Sequence, residues 1–293
     1  MPGPEHEDPS MALLATDPTM HPTLVVAVAA ARQAGALIRA AAADPASLQI
    51  RQKRPNDFVT QVDVASEQLI VKTLLEAFPG HAVRAEESQQ PHGTPGADHV
   101  WIVDPLDGTN NFIHGYPAYS VSIALSVRGS VEHAVVLDVT HGDLFHATRG
   151  AGAYCNARRL QVGTRAALHE ALVGTSCPYQ PGPGFARSLQ MFGAVMERAA
   201  GIRRSGSAAL DLAWVAAGYC DGFFDLGLKA WDVAAGSLLV IEAGGRMGDF
   251  RGDADCLDAQ ECMAGNPAIF AALGALLQPW SRQGAPARGA RAP

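Results

Sequence analysis

The sequence predicts a mixed α/β chain, and three observations carry that reading. Val121, Ile123, Leu125 and Val127 alternate with Ser120, Ser122, Ala124 and Ser126, the period of two that marks a strand. Ile70, Leu74 and Phe78 recur at the spacing of one helix face. The run Trp101-Ile102-Val103 is apolar and rich in β-branching, as the end of a buried strand requires, and Pro105 is expected to stop it. The chain has 293 residues, 48% hydrophobic, enough to bury a large core as one big domain or two packed halves.

In chain order, residues 1–19 are acidic and Pro-containing and read as a flexible extension, with Met20 a second candidate start. The apolar stretch 11–15 is too short for a signal peptide and lacks a basic flank. Residues 23–43 read as an amphipathic helix. Arg32, Gln33 and Arg39 interrupt it, and its longest apolar run, 24–31, is too short to cross a bilayer. No membrane span is expected.

A second helix follows Asp63 and ends at Pro79-Gly80. Asp63 and Glu67 lie near its start, where capping alone accounts for a carboxylate. A short strand at 82–84 runs into Glu86-Glu87-Ser88, which taken alone is a solvated turn, and 89–98 is a loop. Residues 131–139 and 144–148 flank His141-Gly142-Asp143 as an antiparallel hairpin, and Gly150, Gly152 and Asn156 continue as turns.

The Pro/Gly-rich loop 178–184 marks a subdomain boundary, and 185–199 is helical. Ser207 suits the N-cap of another helix. A strand at 221–226 precedes Trp231-Asp232, which opens an apolar helix closed by Gly244-Gly245. Asn266-Pro267 begins the last helix, and residues 281–293 read as a disordered tail.

A net charge of -7 and a pI near 5.8 argue against a nucleic-acid surface. The five Cys (155, 177, 220, 256 and 262) form no C-x-x-C pair, which suits reduced thiols in a cytoplasm. The ten His form no H-x-H or H-x-x-x-H pair, so a transition-metal site built on His has little support.

The acids carry the chemistry. Asp104 and Asp107 sit three residues apart where the chain leaves a strand, and Gly108-Thr109 can start a short helix with free N–H groups. Carboxylates beside a helix N-terminus suit a hard cation and a phosphate together. Taken alone, this motif reads sooner as an Asp/Gly turn with Thr109 as a cap. That plainer reading weakens because Asp63, Glu86, Asp104, Asp107 and Asp232 all fall at element boundaries, where loops can converge at one rim. Clustered carboxylates stay ionised only when cations neutralise them. Oxygen-only ligation selects Mg²⁺, Mn²⁺ or Ca²⁺, and two such ions suit phosphoryl transfer to water.

Four stretches together resemble the signatures of the inositol monophosphatase family in order and separation. They are Asp57-Phe58-Val59-Thr60-Gln61-Val62-Asp63, Glu86-Glu87-Ser88, the run from Trp101 to Phe112, and Trp231-Asp232-Val233-Ala234-Ala235-Gly236. The likeness spans about residues 20–278. Residues 203–245 and the start Met20-His21-Pro22 most resemble the bacterial branch called extragenic suppressor protein.

The resemblance implies an α/β fold, a layered αβαβα sandwich over residues 20–280 with two subdomains, commonly a homodimer. It implies Mg²⁺-dependent, lithium-sensitive hydrolysis of inositol-1-phosphate, with two or three ions per site. Glu86, Asp104 and the Leu106 carbonyl would hold the first ion; Asp104, Asp107 and Asp232 the second; Glu86 would face a third. Asp63 and Thr109 would orient the attacking water, and the Gly108 and Thr109 N–H groups would bind phosphate. Lys53 matches a lysine near that site. Asp107, Gly206, Ser207, Ala208 and Asp225 match positions at the inositol ring, and Trp231 reads as an apolar anchor for the helix bearing Asp232.

Three departures bear on the alcohol: Asn110 where a second Thr is frequent, Asp225 where Glu is usual, and Lys229 close by. A rival expectation also follows from the resemblance. The suppressor branch is associated with transcription antitermination on ribosomal RNA operons through Nus factors and RNA polymerase. Other family members cleave fructose-1,6-bisphosphate, histidinol phosphate or 3′-phosphoadenosine 5′-phosphate.

Overall fold

The structure, a computed structural model, describes residues 20–54, 57–88, 90–176, 183–252, 257 and 261–281. The expected extension at 1–19, the tail after Ser281, most of the 178–184 loop, Cys177 and Cys256 lie outside the described residues.

Three pairs of helices alternate with two sheets in five layers. The first pair is α1 (Pro22–Ala42) and α2 (Gln61–Ala77). Pro22 opens α1, where its missing N–H costs nothing, and His21 caps it by accepting from the Thr23 N–H at 3.2 Å. Contrary to the expectation from its interrupted run, α1 is long and apolar enough to cross a bilayer by length and composition. Its apolar face is taken up inside the protein instead: Leu24, Ala27, Ala31, Ala34 and Ile38 share a core with Ile70 and Leu74 of α2. A small antiparallel hairpin, β1 (Ile50–Arg54) and β2 (Asp57–Thr60), leads into α2.

The first sheet has eight strands in the order β10 (Arg158–Arg159), β9 (Gly152–Cys155), β8 (Leu144–Thr148), β7 (Ser130–Asp138), β6 (Ser120–Val127), β5 (His99–Asp107), β3 (Ala82–Ala85), β4 (His92–Gly93). β3 and β5 run parallel and the other neighbours antiparallel. Gly152, expected in a turn, starts β9, and the expected loop 89–98 contributes β4. β6 is buried on both faces. Val121, Ile123 and Leu125 face the α1–α2 layer, while Ala124, with Ile102, Ala134 and Val136, belongs to a second core. The alternation therefore separates large from small residues, and the small ones let helices approach closely.

That second core holds α5 (Ala208–Ala216) and α6 (Ala230–Glu242), sandwiched between the sheets. A Cβ on Gly236 of α6 would lie 2.5 Å from the Leu212 Cβ of α5, so this contact requires glycine. The second sheet has the order β12 (Gly201–Arg203), β11 (Leu172–Thr175), β13 (Gly222–Leu226), β15 (Glu261–Gly265), β14 (Arg246–Gly248). The outer layer is α4 (Pro183–Met196) and α7 (Pro267–Leu277), closing a third core around Val173, Met191, Phe224, Met263 and Ile269. Pro183 and Gly184, expected in the boundary loop, begin α4, a position proline tolerates.

Pro105 does not stop β5. The strand runs on to Asp107, and its pairing with β6 goes from Asp104↔Ser122 to Asp107↔Ser120. Three steps on one strand meet two on the other, which is a bulge, and a bulge tolerates a residue with no N–H. The extra residue has a second effect. Residues three apart on a regular strand point to opposite faces, whereas the bulge brings Asp104 and Asp107 to the same one. Leu106 correspondingly turns into the α1–α2 core, away from Ile102.

Candidate active site

A cavity of about 140 Å³ lies where β5 ends and α3 (Thr109–His114) begins. It is lined by Glu86, Asp104, Leu106, Asp107, Gly108, Thr109, Asn110, Gly206 and Asp232, together with Asp57 and Phe58. Acids from the end of β3, the β5 bulge and the first turn of α6 thus meet at one rim. A larger groove of about 760 Å³ on the outer layer contains one carboxylate, Glu197, and none of the motif acids.

Each acid is held by its element. Asp104 is 1% exposed, and its Oδ1 accepts from the Leu106 N–H at 3.1 Å across the bulge. Asp107 reaches the start of α5: its Oδ2 accepts from Ser207 Oγ at 2.6 Å and from the Ala209 N–H at 2.8 Å. Asp232, in the first turn of α6, accepts from the Lys229 N–H at 2.6 Å through Oδ2. Glu86 follows β3, where Lys53 Nζ stands 3.4 Å from Glu86 Oε1 and 2.6 Å from Glu87 Oε1. Trp231 packs half-buried against the second core with the Arg84 guanidinium 5.6 Å from its ring centre.

Asp63 stands behind this rim. Its Oδ2 accepts from the Thr60 N–H at 2.8 Å, completing a reciprocal cap on α2, and its Oδ1 accepts from Thr109 Oγ1 at 2.8 Å. The capping reading and a link to the site therefore hold together. Gly108 precedes α3 with φ +94°, and a Cβ there would lie 2.9 Å from the Ala118 carbonyl oxygen.

In the second half, Gly206 lines the cavity, Ser207 caps α5 and bonds Asp107, and Ala208 is the first residue of α5. Asp225 does not line the cavity. It is 2% exposed, and its carboxylate accepts from the Ser176 N–H at 3.1 Å, from Ser176 Oγ, and from the Leu226 N–H at 2.6 Å. A surface pair with exposed Lys229 is not its environment.

Several residues escaped the sequence reading. Asp57 and Phe58 line the cavity, as does Asn110, noted above only as a departure from the motif. All three lie inside quoted motifs, and only the hairpin's packing brings the first two round. Asn111 Nδ2 donates to the Ala118 carbonyl at 2.6 Å and to the Ser205 carbonyl at 2.8 Å, tying α3 to the turn before α5. Glu67 accepts from the Glu87 N–H at 2.7 Å and from Ser88 Oγ.

The electrostatics are those of crowded acids. Burial pushes Glu86 up to about 7 against the pull of Lys53, with Glu87, Asp63 and Asp107 adding to the rise. Burial, then Glu86, Asp107 and Asp232, raise Asp104 well above the carboxylate range. Burial, then Glu86 and Asp107, do the same to Asp232. Burial raises Asp107 as well, against the hydrogen bonds it accepts. Among the described residues no group of three or more His, Cys, Asp or Glu side chains is placed closely enough to hold a metal ion. A donor set of carboxylate and carbonyl oxygens, with burial and neighbouring acids disfavouring the carboxylates' charge, fits a hard divalent cation that would stabilise it.

The inositol monophosphatase family profile matches residues 19–280. The Nus factor SuhB of Pseudomonas aeruginosa is 46% identical over 263 residues, 89% of this chain and 97% of its own length. That of Escherichia coli K12 is 44% identical over 254 residues, 87% of this chain and 95% of its own. The crystal structure of extragenic suppressor protein suhB from Bartonella henselae aligns with a TM-score of 0.83 at 40% identity, covering 86% of this chain and 97% of that one. Inositol monophosphatase from Anabaena aligns at 0.77 and 34%, covering 87% and 95%. With its four motifs gathered at one rim of a five-layer sandwich, this chain belongs to the inositol monophosphatase family.

Proposed function

We propose that the chain is a Mg²⁺-dependent phosphomonoesterase that hydrolyses inositol-1-phosphate to myo-inositol and phosphate. The observation that carries this reading is the meeting of Glu86, Asp104, Asp107 and Asp232 at one cavity with the Gly108-Thr109 turn. In it, Glu86, Asp104 and the Leu106 carbonyl would hold one ion; Asp104, Asp107 and Asp232 would hold a second; Glu86 would face a third. Bound ions supply Lewis-acid activation of the ester and of water.

The chain's own groups do the rest. Thr109 Oγ1 donates to Asp63, so its oxygen is left to accept a hydrogen bond from water and turn that water's lone pair toward phosphorus. Asp63 acts through Thr109. The Gly108 and Thr109 N–H groups hold phosphate oxygens. The ammonium of Lys53 favours ionised Glu86. Asp107, Gly206, Ser207 and Ala208 flank the alcohol. Asp225, buried off the cavity, would join them only by exchanging its Ser176 hydroxyl for a ring hydroxyl. The chain acts in the cytoplasm, as a homodimer that light scattering would detect.

Phosphate release with Mg²⁺, across inositol-1-phosphate, fructose-1,6-bisphosphate, histidinol phosphate and 3′-phosphoadenosine 5′-phosphate, tests the substrate. Turnover that survives excess chelator would sink the metal assignment. A second reading has support from the relatives named Nus factor SuhB: contact with RNA polymerase and Nus factors in antitermination. Retention of polymerase by the immobilised chain, undiminished in Asp104→Asn, would favour a partner role separate from the acids.

A further inference from the structure

We propose that Glu67 is a positioning residue for Glu86, holding the Glu86-Glu87-Ser88 turn so that Glu86 stays on the cavity. The inference deepens the phosphatase reading and rests on it for the role of Glu86. Glu67 lies on α2, one helical turn after Asp63, and is 4% exposed. Helix capping does not occupy it: one oxygen accepts from the Glu87 N–H at 2.7 Å and the other from Ser88 Oγ. His92 on β4 stands with Nε2 2.7 Å from Ser88 Oγ. With the Ser88 hydroxyl donating to Glu67, the tautomer this arrangement assigns to His92 donates from Nε2 to Ser88. β4 pairs with β3 through Val83↔His92, so the sheet edge backs the hydroxyl and α2 backs the turn.

The geometry constrains the neighbouring acids. Glu86 and Glu87 are adjacent and both reach Lys53, Glu86 at 3.4 Å and Glu87 at 2.6 Å. Glu87 takes Lys53 at 2.6 Å with its backbone N–H pinned by Glu67, while Glu86 lines the cavity. Release of the turn would let two long side chains interchange or withdraw. A cation would then lose a preset ligand and bear the entropy of ordering it.

The test uses the full chain and Mn²⁺ as probe, with free Mn²⁺ counted by electron paramagnetic resonance and phosphate release measured separately with Mg²⁺. Glu67→Ala should weaken Mn²⁺ binding by about 10–100-fold and lower kcat similarly, with KM changed by less than about twofold. Glu67→Gln should stay within about threefold of the parent, since its amide accepts from the Glu87 N–H and donates to Ser88 Oγ. A folded Glu67→Ala with unchanged Mn²⁺ binding overturns the proposal. So does Glu67→Gln as weak as Glu67→Ala, because charge rather than geometry would then be responsible. Should Glu67→Ala fail to fold, Ser88→Ala removes one arm alone. It should weaken Mn²⁺ binding by about threefold, and no change there overturns the proposal equally. Mn²⁺ binding that behaves as expected in a chain that releases no phosphate leaves Glu67 positioning Glu86 and removes the phosphatase.

Discussion

Two groups of acids in this fold are distinguished by their hydrogen bonds. Asp138, Asp221 and Glu67 have donors on both carboxylate oxygens. Asp138 takes the Thr140 and His141 N–H groups and the His141 ring, and Asp221 takes the Leu172 N–H at 2.9 Å and Arg165 at 3.3 Å. Asp104 and Asp232 have a single backbone donor, on one oxygen each, and share a cavity with Glu86 and Asp107. The first group is satisfied by the fold. The second is satisfied only in part, and its members raise one another's pKa. An unspent oxygen alone does not mark a proposed ligand, since buried Asp211 also has unspent oxygens and does not line the cavity; the second group combines unspent oxygens with a shared cavity.

The largest effect expected from breaking this division is in the second group. Asp104→Asn should lower phosphate release by on the order of a thousandfold or more, since under the proposed function several kcal/mol of charge stabilisation depend on ions it would help hold. The ion-free protein should melt higher, because one repelling charge is gone. Turnover within tenfold of the parent would take Asp104 out of the ligand set.

Asp221→Ala tests the first group from the other side. It leaves the Leu172 N–H buried without an acceptor and should cost about 2–4 kcal/mol in urea unfolding, with kcat of the folded protein changed by less than about twofold. A selective loss of kcat without loss of stability would blur the two groups.

His133 isolates burial on a base remote from the cavity. It is 7% exposed, its Nδ1 lies 3.0 Å from Thr148 Oγ1, and its ring stacks on His21 at 4.6 Å. Burial, then His21, lower its pKa to about 4 from an ordinary 6.5. The unfolded chain takes up this proton near 6.5 and the folded chain only near 4, so stability falls as pH drops through that window. The loss should approach about 3 kcal/mol at the acid end. His133→Gln should flatten that part of a melting-temperature profile, and an unchanged profile would assign the slope elsewhere.

Asp225 is the smallest and sharpest case, because it is hydrogen-bonded like the first group yet pushed up to about 7, chiefly by burial. Asp225→Ala should reduce kcat/KM for inositol-1-phosphate by about tenfold, the worth of one charged hydrogen bond, and leave p-nitrophenyl phosphate within about twofold. Equal losses on both esters would move it to the structural acids.

Much of this was legible in the chain. Ile70, Leu74 and Phe78, the alternation at 121–127, Ser207 and Asn266-Pro267 announced their elements because period and capping act over a few residues. The acids at element ends, read with four motifs in order, identified the family. The tertiary structure decided what depends on distant partners. Pro105 was expected to end a strand, but β6 pairs beyond it, and the resulting bulge turns Asp104 and Asp107 to one face. Glu67 reads as a helix-start acid until Glu87 and Ser88, some twenty residues on, are seen to donate to it. Asp225 reads as a rim acid until Ser176 is found on its carboxylate. Composition and period report how a residue meets its own strand or helix. Which oxygen of a carboxylate is left unspent depends on donors brought from elsewhere in the chain, and only packing brings them.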